Sequence, residues 1–383
     1  MIVAAPPPPP LAVTAPAERE VSFGHVAGRI QPGQWAVVVR ADQKLLAVKR
    51  VDGGSFDFLV SLPRRDANVR VSLYGPHGKR QVTATIRHVF GLPRSAEPRA
   101  VAGAHDGALQ RRVGMLVRTF PGTSGVYVED LVSGHGASWN ARARFPAAST
   151  LKLAIAVEAL RAHPGKPEPG SYLDSLLRRM LIESDNDAAN QVESLFGGGS
   201  RVDELLHAIG FGDTWMGGGY LRGTALAPPI PARVESQPSF PCCKYTTAYD
   251  LARLLADVHL AAGGRGPLID RYGSSFTPSD GRYLLYLLAH VPDRGKLGRY
   301  LAGGPYALMH KAGWISYARH DAGLVYWPGG VFVAAVMTTG SGVGVASDLL
   351  AARIAQVALK RVEVVGQAAG PSRSTAARVI GTG

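Results

Sequence analysis

The stretch FPAASTLKLAIAVEAL, residues 145–160, constrains this chain more than any other. Leu151, Leu153, Ile155, Val157 and Leu160, with alanines between them, leave almost no polar face, and a helix apolar nearly all round is a buried one. Its first turn nevertheless carries Lys152. Burying an ammonium is costly, and the positive end of the helix dipole sits beside it, so two effects disfavour the charged form and lower its pKa. Ser149, three residues earlier, shares a face with it about one turn away. A serine with a neutral amine beside it is what nucleophilic catalysis needs. Read alone, Ser149 is a plain helix cap and Lys152 a side chain that snorkels to water. The rest of the chain decides between the two readings.

The chain has 383 residues, room for two ordinary domains, and its 46% hydrophobic and 19% charged residues are a globular composition. No run approaches the roughly 18 apolar residues of a membrane span, so no transmembrane helix is expected. The formal charge of +13 suits an anionic partner. Its Lys and Arg residues are scattered, without zinc-finger spacing or an aromatic RNA-binding signature, which argues against nucleic acid and leaves an anionic cell envelope. The two cysteines, Cys242 and Cys243, are adjacent and cannot staple distant segments. The 11 histidines form no H-E-x-x-H or Cys/His cluster, so no metal site is expected.

Residues 1–21, Ala/Pro-rich and without a basic region, read as a leader remnant or disordered spacer, with export the favoured expectation. From 22 to 92 short alternating runs such as QWAVVVR, KLLAVKRV and NVRVSLYG are separated by Gly, Asp and Pro clusters. That spacing predicts a small immunoglobulin-like β-sandwich, with a binding or spacing role and no catalytic cluster. Residues 93–104 read as a linker, with Pro93 and Pro98. A second domain, 105–362, begins with a helix and two strands and continues into a helical middle from about 149 to 210. The Gly/Pro-rich excursion MGGGYLRGTALAPPIPARVESQPSFPCCKY follows, and loops that long are often functional. Thr247 and Asp250 make an N-terminal cap for TAYDLARLLADVHLAA. Three strands, PYALMHKAGW, HDAGLVYWP and VFVAAVMTTG, and a last helix complete an α+β layout, ahead of a tail (363–383) expected to be disordered.

Three short motifs line up in the second domain: Ser149-Thr150-Leu151-Lys152, then Ser184-Asp185-Asn186 ahead of a helical run, then Lys311-Ala312-Gly313 within a strand. A lone S-x-x-K is weak, but all three in this order resemble the penicillin-recognising serine hydrolases, most closely the class A β-lactamase family. The resemblance covers about residues 105–362 and extends to TTAYDLARLL and HDAGLVYW. It implies an antiparallel sheet flanked by helices plus a helical subdomain, the β-lactamase/transpeptidase-like fold. By the same resemblance, Ser149 is the acylated nucleophile, at a helix start whose free N–H groups favour negative charge. Lys152 is the proton acceptor and Ser184 relays a proton to the leaving nitrogen. Asn186 offers its amide to the substrate, Asp185 ties its loop down, and Lys311 faces the cleft near the substrate carboxylate. The backbone N–H groups of Ser149 and of Trp314, which follows Gly313, form the oxyanion hole. No metal or organic cofactor is implied.

Departures from the family pattern separate the hypotheses. The family has Thr or Ser where this chain has Ala312, so the substrate carboxylate loses a hydroxyl partner. Class A enzymes carry a loop glutamate that activates the deacylating water. Here the loop's only acid, and so the candidate for that base, is Glu235, in ARVESQPS, which does not match the family's motif, lies closer to Thr246 and Thr247 than that glutamate normally does, and is otherwise an exposed loop glutamate. The stretch between Ser149 and Ser184 is also short, so one wall of the cleft is expected to be missing. The sequence therefore supports a serine hydrolase acting on β-lactams. Its alternatives are a slow-deacylating, D,D-peptidase-like enzyme on peptidoglycan peptides and a non-catalytic cell-wall-binding protein. Such substrates are met outside the cytoplasmic membrane, which makes an extracytoplasmic location the expectation.

Overall fold

The computed structural model describes residues 10–217, 219–220, 237–238 and 244–368. Its first eight strands are β1 (Leu11–Ala15), β2 (Glu20–Ser22), β3 (His25–Ile30), β4 (Trp35–Ala41), β5 (Lys44–Val51), β6 (Gly54–Leu59), β7 (Asp66–Tyr74) and β8 (Arg80–Gly91). They form two sheets, ordered β1-β3-β6 and β2-β8-β7-β4-β5. Alternate residues face inward: Val37, Val39 and Ala41 on β4 meet Val69, Val71 and Leu73 on β7 and Phe56 and Phe58 on β6. The period-2 pattern thus builds a two-layer β-sandwich, as the sequence predicts.

The sandwich starts earlier than expected. Residues 11–15, read as spacer, pair with β3, and Leu11 is buried in the sandwich core. Five residues between prolines are too few for an alternation to be legible in sequence; the partner strand supplies the order. At the other end the last helix runs to Ala368, past the expected boundary at 362.

The second unit comprises β9 (Ala104–His105), α1 (Gly107–Arg118), β10 (Thr123–Asp130), β11 (His135–Trp139), β12 (Arg144–Pro146), α2 (Lys152–Ala162), α3 (Tyr172–Arg178), α4 (Asn186–Leu195) and α5 (Gly199–Ala208). It continues with β13 (Tyr245–Thr247), α6 (Ala248–Ala262), α7 (Pro267–Tyr272), α8 (Pro278–Ala289), β14 (Ala307–Ile315), β15 (Ala318–Trp327), β16 (Gly330–Thr339) and α9 (Gly344–Ala368). Six strands form one sheet in the order β14-β15-β16-β10-β11-β9. Helices α1 and α9 cover one face through Val113, Val117, Ile354 and Ala358. The helices α2 to α8 gather on the other face around Leu153, Leu176, Leu255 and Tyr283. Strand β16 is buried along its whole length, because both faces are covered. The expected cap is made: Thr247 Oγ1 accepts the Asp250 N–H at 3.0 Å and starts α6.

Charged side chains hold the two units together. Arg19 pairs with buried Asp174 on α3, which also accepts the Tyr283 hydroxyl at 2.6 Å. Glu20, 1% exposed, receives Lys166, Arg282 and Ser279. Asp66 on β7 meets His290 at 3.2 Å and the Tyr286 hydroxyl at 3.0 Å. Burial alone would raise the Asp66 carboxyl, but His290, Tyr286 and His88 outweigh it and hold it at about 2.

Candidate active site

The nucleophile segment is fixed from below. Strand β12 ends at Pro146, whose carbonyl lies 2.7 Å from His320 Nε2, while the Thr338 N–H reaches His320 Nδ1 at 3.1 Å. Burial pushes His320 down to about 4, so the ring is neutral, and these two contacts require the proton on Nε2. Ala147 donates its N–H to the Lys244 carbonyl at 2.9 Å. Ala148 then takes a left-handed φ of 49°, and a 3-10 turn, Ala148–Leu151, delivers Ser149 just ahead of α2. Such backbone strain in a non-glycine residue recurs at functional sites.

Gly313 on the sheet-edge strand β14 lies directly against this turn. A Cβ at Gly313 would stand 2.8 Å from the Ser149 nitrogen and 3.0 Å from the Thr150 nitrogen. Glycine is therefore what lets the edge strand approach the nucleophile's backbone. The next residue, Trp314, is 68% exposed at this edge.

Lys152 is fully buried, and its ammonium is not left alone. Nζ donates to the Ser184 carbonyl at 2.5 Å and to Asn186 Oδ1 at 2.6 Å, with Ser184 Oγ at 3.4 Å. Because an ammonium can only donate, Asn186 must turn its oxygen to Lys152, which leaves its NH₂ free for a substrate carbonyl. No direct hydrogen bond joins Lys152 to Ser149. Among the described residues the Ser149 hydroxyl makes none. Ser184 sits at φ 61° between a π-turn, Arg179–Glu183, and α4. Asp185 caps α4 through the Ala188 N–H at 2.9 Å and pairs with Arg179, so it does tie the loop down. Lys311 Nζ, from β14, donates to Ser184 Oγ at 2.9 Å and to the Ala312 carbonyl at 3.0 Å. Burial lowers both lysines, Lys152 to about 8 and Lys311 to about 7, the latter also through the Lys152 charge beside it.

Sequence reasoning missed Tyr220. Its ring packs against two ammoniums, Lys152 Nζ at 4.8 Å and Lys244 Nζ at 4.7 Å from the centroid. Its N–H donates to Asn190 Oδ1 at 2.6 Å, and its hydroxyl to the carbonyl of Ala148, next to the nucleophile, at 2.9 Å. Burial raises its pKa, so the phenol stays protonated. The one available signal was a tyrosine closing the glycine run in WMGGGY. Glu235, Cys242 and Cys243 lie outside the described residues. Ser149, Lys152, Ser184, Asn186, Lys311, Gly313 and Trp314 come from three separated stretches, and their elements meet at one site.

Comparisons with known proteins bear on the family and the fold. The model of the β-lactamase enzyme family matches residues 108–165 and 164–362. A search of curated proteins finds no match. Among solved structures, that of PBP-A aligns with a TM-score of 0.55 at 22% identity, covering 70% of this chain and 100% of that one. A PBP-A variant, solved as an acyl-enzyme complex with penicillin G, gives 0.54 at 22%, covering 69% and 100%. An ancestral class A β-lactamase gives 0.53 at 20%, covering 66% and 99%. Each likeness covers 66–70% of this chain, and the family model lies wholly within the second unit. With the family model spanning most of residues 108–362, the chain belongs to the β-lactamase enzyme family, with the class A-like fold of the serine hydrolases.

Proposed function

We propose that the protein is a serine enzyme that acylates Ser149 on a β-lactam or a related amide and releases the acyl group slowly. In acylation Ser149 Oγ attacks the carbonyl carbon and Lys152, in its neutral form, takes the proton. The N–H groups of Ser149 and Trp314 receive the oxyanion. Ser184, bridging to both lysines, passes a proton to the leaving nitrogen as the amide C–N bond breaks. With Ala312 in place of a hydroxyl residue, Lys311 meets the substrate carboxylate without that partner, which argues for weak ground-state binding.

The observation that carries the slow second step is Tyr220. Deacylation needs a base to activate water. The loop residue packed against Lys152 is a protonated phenol whose one proton is already given to the Ala148 carbonyl, and it has no capacity to act as that base. This favours the penicillin-binding, D,D-peptidase-like reading, with peptidoglycan peptides as natural substrates outside the cytoplasmic membrane, over a fast β-lactamase. The test is intact-protein mass over time with penicillin G. A long-lived adduct is expected, and Tyr220→Glu should shorten its lifetime by about tenfold or more, since general-base catalysis contributes at least that much. Rapid turnover without an adduct would instead make the protein an efficient β-lactamase and send attention to Glu235. Neither adduct nor turnover would favour a non-catalytic cell-wall-binding role.

Acylation should also follow a bell-shaped pH profile. Both lysines reach Ser184 Oγ, so they titrate as a pair, with steps near 7 and 8. Serine activation needs a neutral amine, and an anionic substrate needs a cation. The microstate that supplies both, Lys152 neutral beside a charged Lys311, is the minor singly protonated form because Lys152 holds its proton more tightly, yet its population still peaks between those two values, and so should the rate. A rate constant flat from about pH 6 to about pH 9 would remove the pair from the mechanism.

A further inference from the structure

Away from the active site, a cleft of about 900 Å³ opens between the sandwich and the enzyme unit. Three separate segments bring four arginines to it: Arg94 and Arg99 from the connection between β8 and β9, Arg265 from the turn after α6, and Arg282 from α8. Neither Ser149, Lys152, Ser184 nor Lys311 lines it. Arg94, Arg99 and Arg265 are exposed, and among the described residues their guanidiniums make no hydrogen bond or ion pair. Arg282 forms the floor, where it shares the single buried carboxylate of Glu20 with Lys166. The acid at the rim, Glu97, turns to His25 Nε2 at 3.3 Å.

Gathering these cations has an electrostatic cost that an incoming anion offsets. Guanidiniums are planar forks matched to carboxylate and phosphate, which they bind in bidentate fashion. Between the cations, Pro16, Phe23 and Pro98 give the cleft an apolar wall. A concave site with a few convergent charges and an apolar wall is the form of a small-molecule site. We propose that this cleft binds a small ligand bearing two or more oxyanions, carboxylate or phosphate, with its skeleton against Pro16, Phe23 and Pro98. The site exists only because the two units dock, so it is a property of the whole chain.

The test is isothermal titration of the full chain with inorganic pyrophosphate and, separately, with citrate, at a salt concentration of about 0.15 M. Saturable binding of at least one probe is expected. The triple change Arg94→Ala, Arg99→Ala and Arg265→Ala should weaken it by about tenfold or more. A control that removes three exposed arginines elsewhere (Arg50→Ala, Arg80→Ala and Arg112→Ala) should leave it unchanged. Tighter pyrophosphate assigns phosphate chemistry to the ligand, and tighter citrate assigns carboxylate. If neither probe saturates, or if the control weakens binding as much as the triple change, the proposal is overturned. Arg265→Ala alone, on an exposed turn, gives the same readout should the triple variant fold poorly.

Discussion

With Ser149 replaced by alanine, the mass adduct formed with penicillin G should vanish entirely, and with Lys152 replaced by alanine it should form about 10²–10⁴ times more slowly. The two effects differ for a physical reason. Ser149 supplies the atom that becomes acylated, so without it there is no covalent product at any time. Lys152 only accelerates the step, and the oxyanion donors persist in its absence because they are backbone groups. Lys152→Ala also leaves the Ser184 carbonyl and Asn186 Oδ1 without their cation, so a melting curve must accompany the kinetics. A folded Lys152→Ala protein that acylates at the wild-type rate would leave Lys311, the second lysine on Ser184 Oγ, as the proton acceptor. An adduct that survives in Ser149→Ala would move the nucleophile elsewhere.

The three motifs were legible because each sits where local pattern is strong. Lys152 opens an apolar helix, Ser184-Asp185-Asn186 precedes a capped helix, and Lys311-Ala312-Gly313 interrupts an apolar strand. Gly313 could be named from its motif, but its reason could not: the close approach of Ser149 and Thr150 nitrogens is a tertiary fact. Tyr220 and Lys244 were illegible because they belong to a long loop without period, where no spacing rule says which side chain returns to the site. The neutral His320 that holds Pro146 looked like any strand residue, since only the register of β15 against β16 aims it at β12. The sandwich was readable from alternation, apart from its first strand. The way it docks was not, because Arg19, Glu20 and Asp66 are ordinary charges until their partners arrive from more than 100 residues away.

That docking makes the second large prediction. Glu20→Ala should destabilise the chain by about 3–5 kcal/mol, the cost of breaking a buried ion pair by removing one partner. Glu20 is almost fully buried and satisfies three donors from the enzyme unit: Lys166 at 2.9 Å, Arg282 at 2.5 Å, and the Ser279 hydroxyl. Removing it leaves Lys166 and Arg282 without the carboxylate they share. By contrast, Arg201–Glu204 is an exposed pair, and Glu204→Ala should change stability by no more than about 1 kcal/mol. The consequence should reach the active site. Lys166 lies in the short connection from α2 to α3, and Asp174 on α3 is held by Arg19, the neighbour of Glu20. Helix α3 leads through the π-turn to Ser184, so the N-terminal segment braces the stretch that carries Ser184. Urea unfolding of Glu20→Ala beside Glu204→Ala measures the first effect, and the acylation rate of Glu20→Ala below its unfolding midpoint measures the second. A midpoint shift no larger than that of Glu204→Ala would mean that apolar contact, not the buried carboxylate, holds the two units together. A large shift with an unchanged acylation rate would confine the brace to stability and free Ser184 from it.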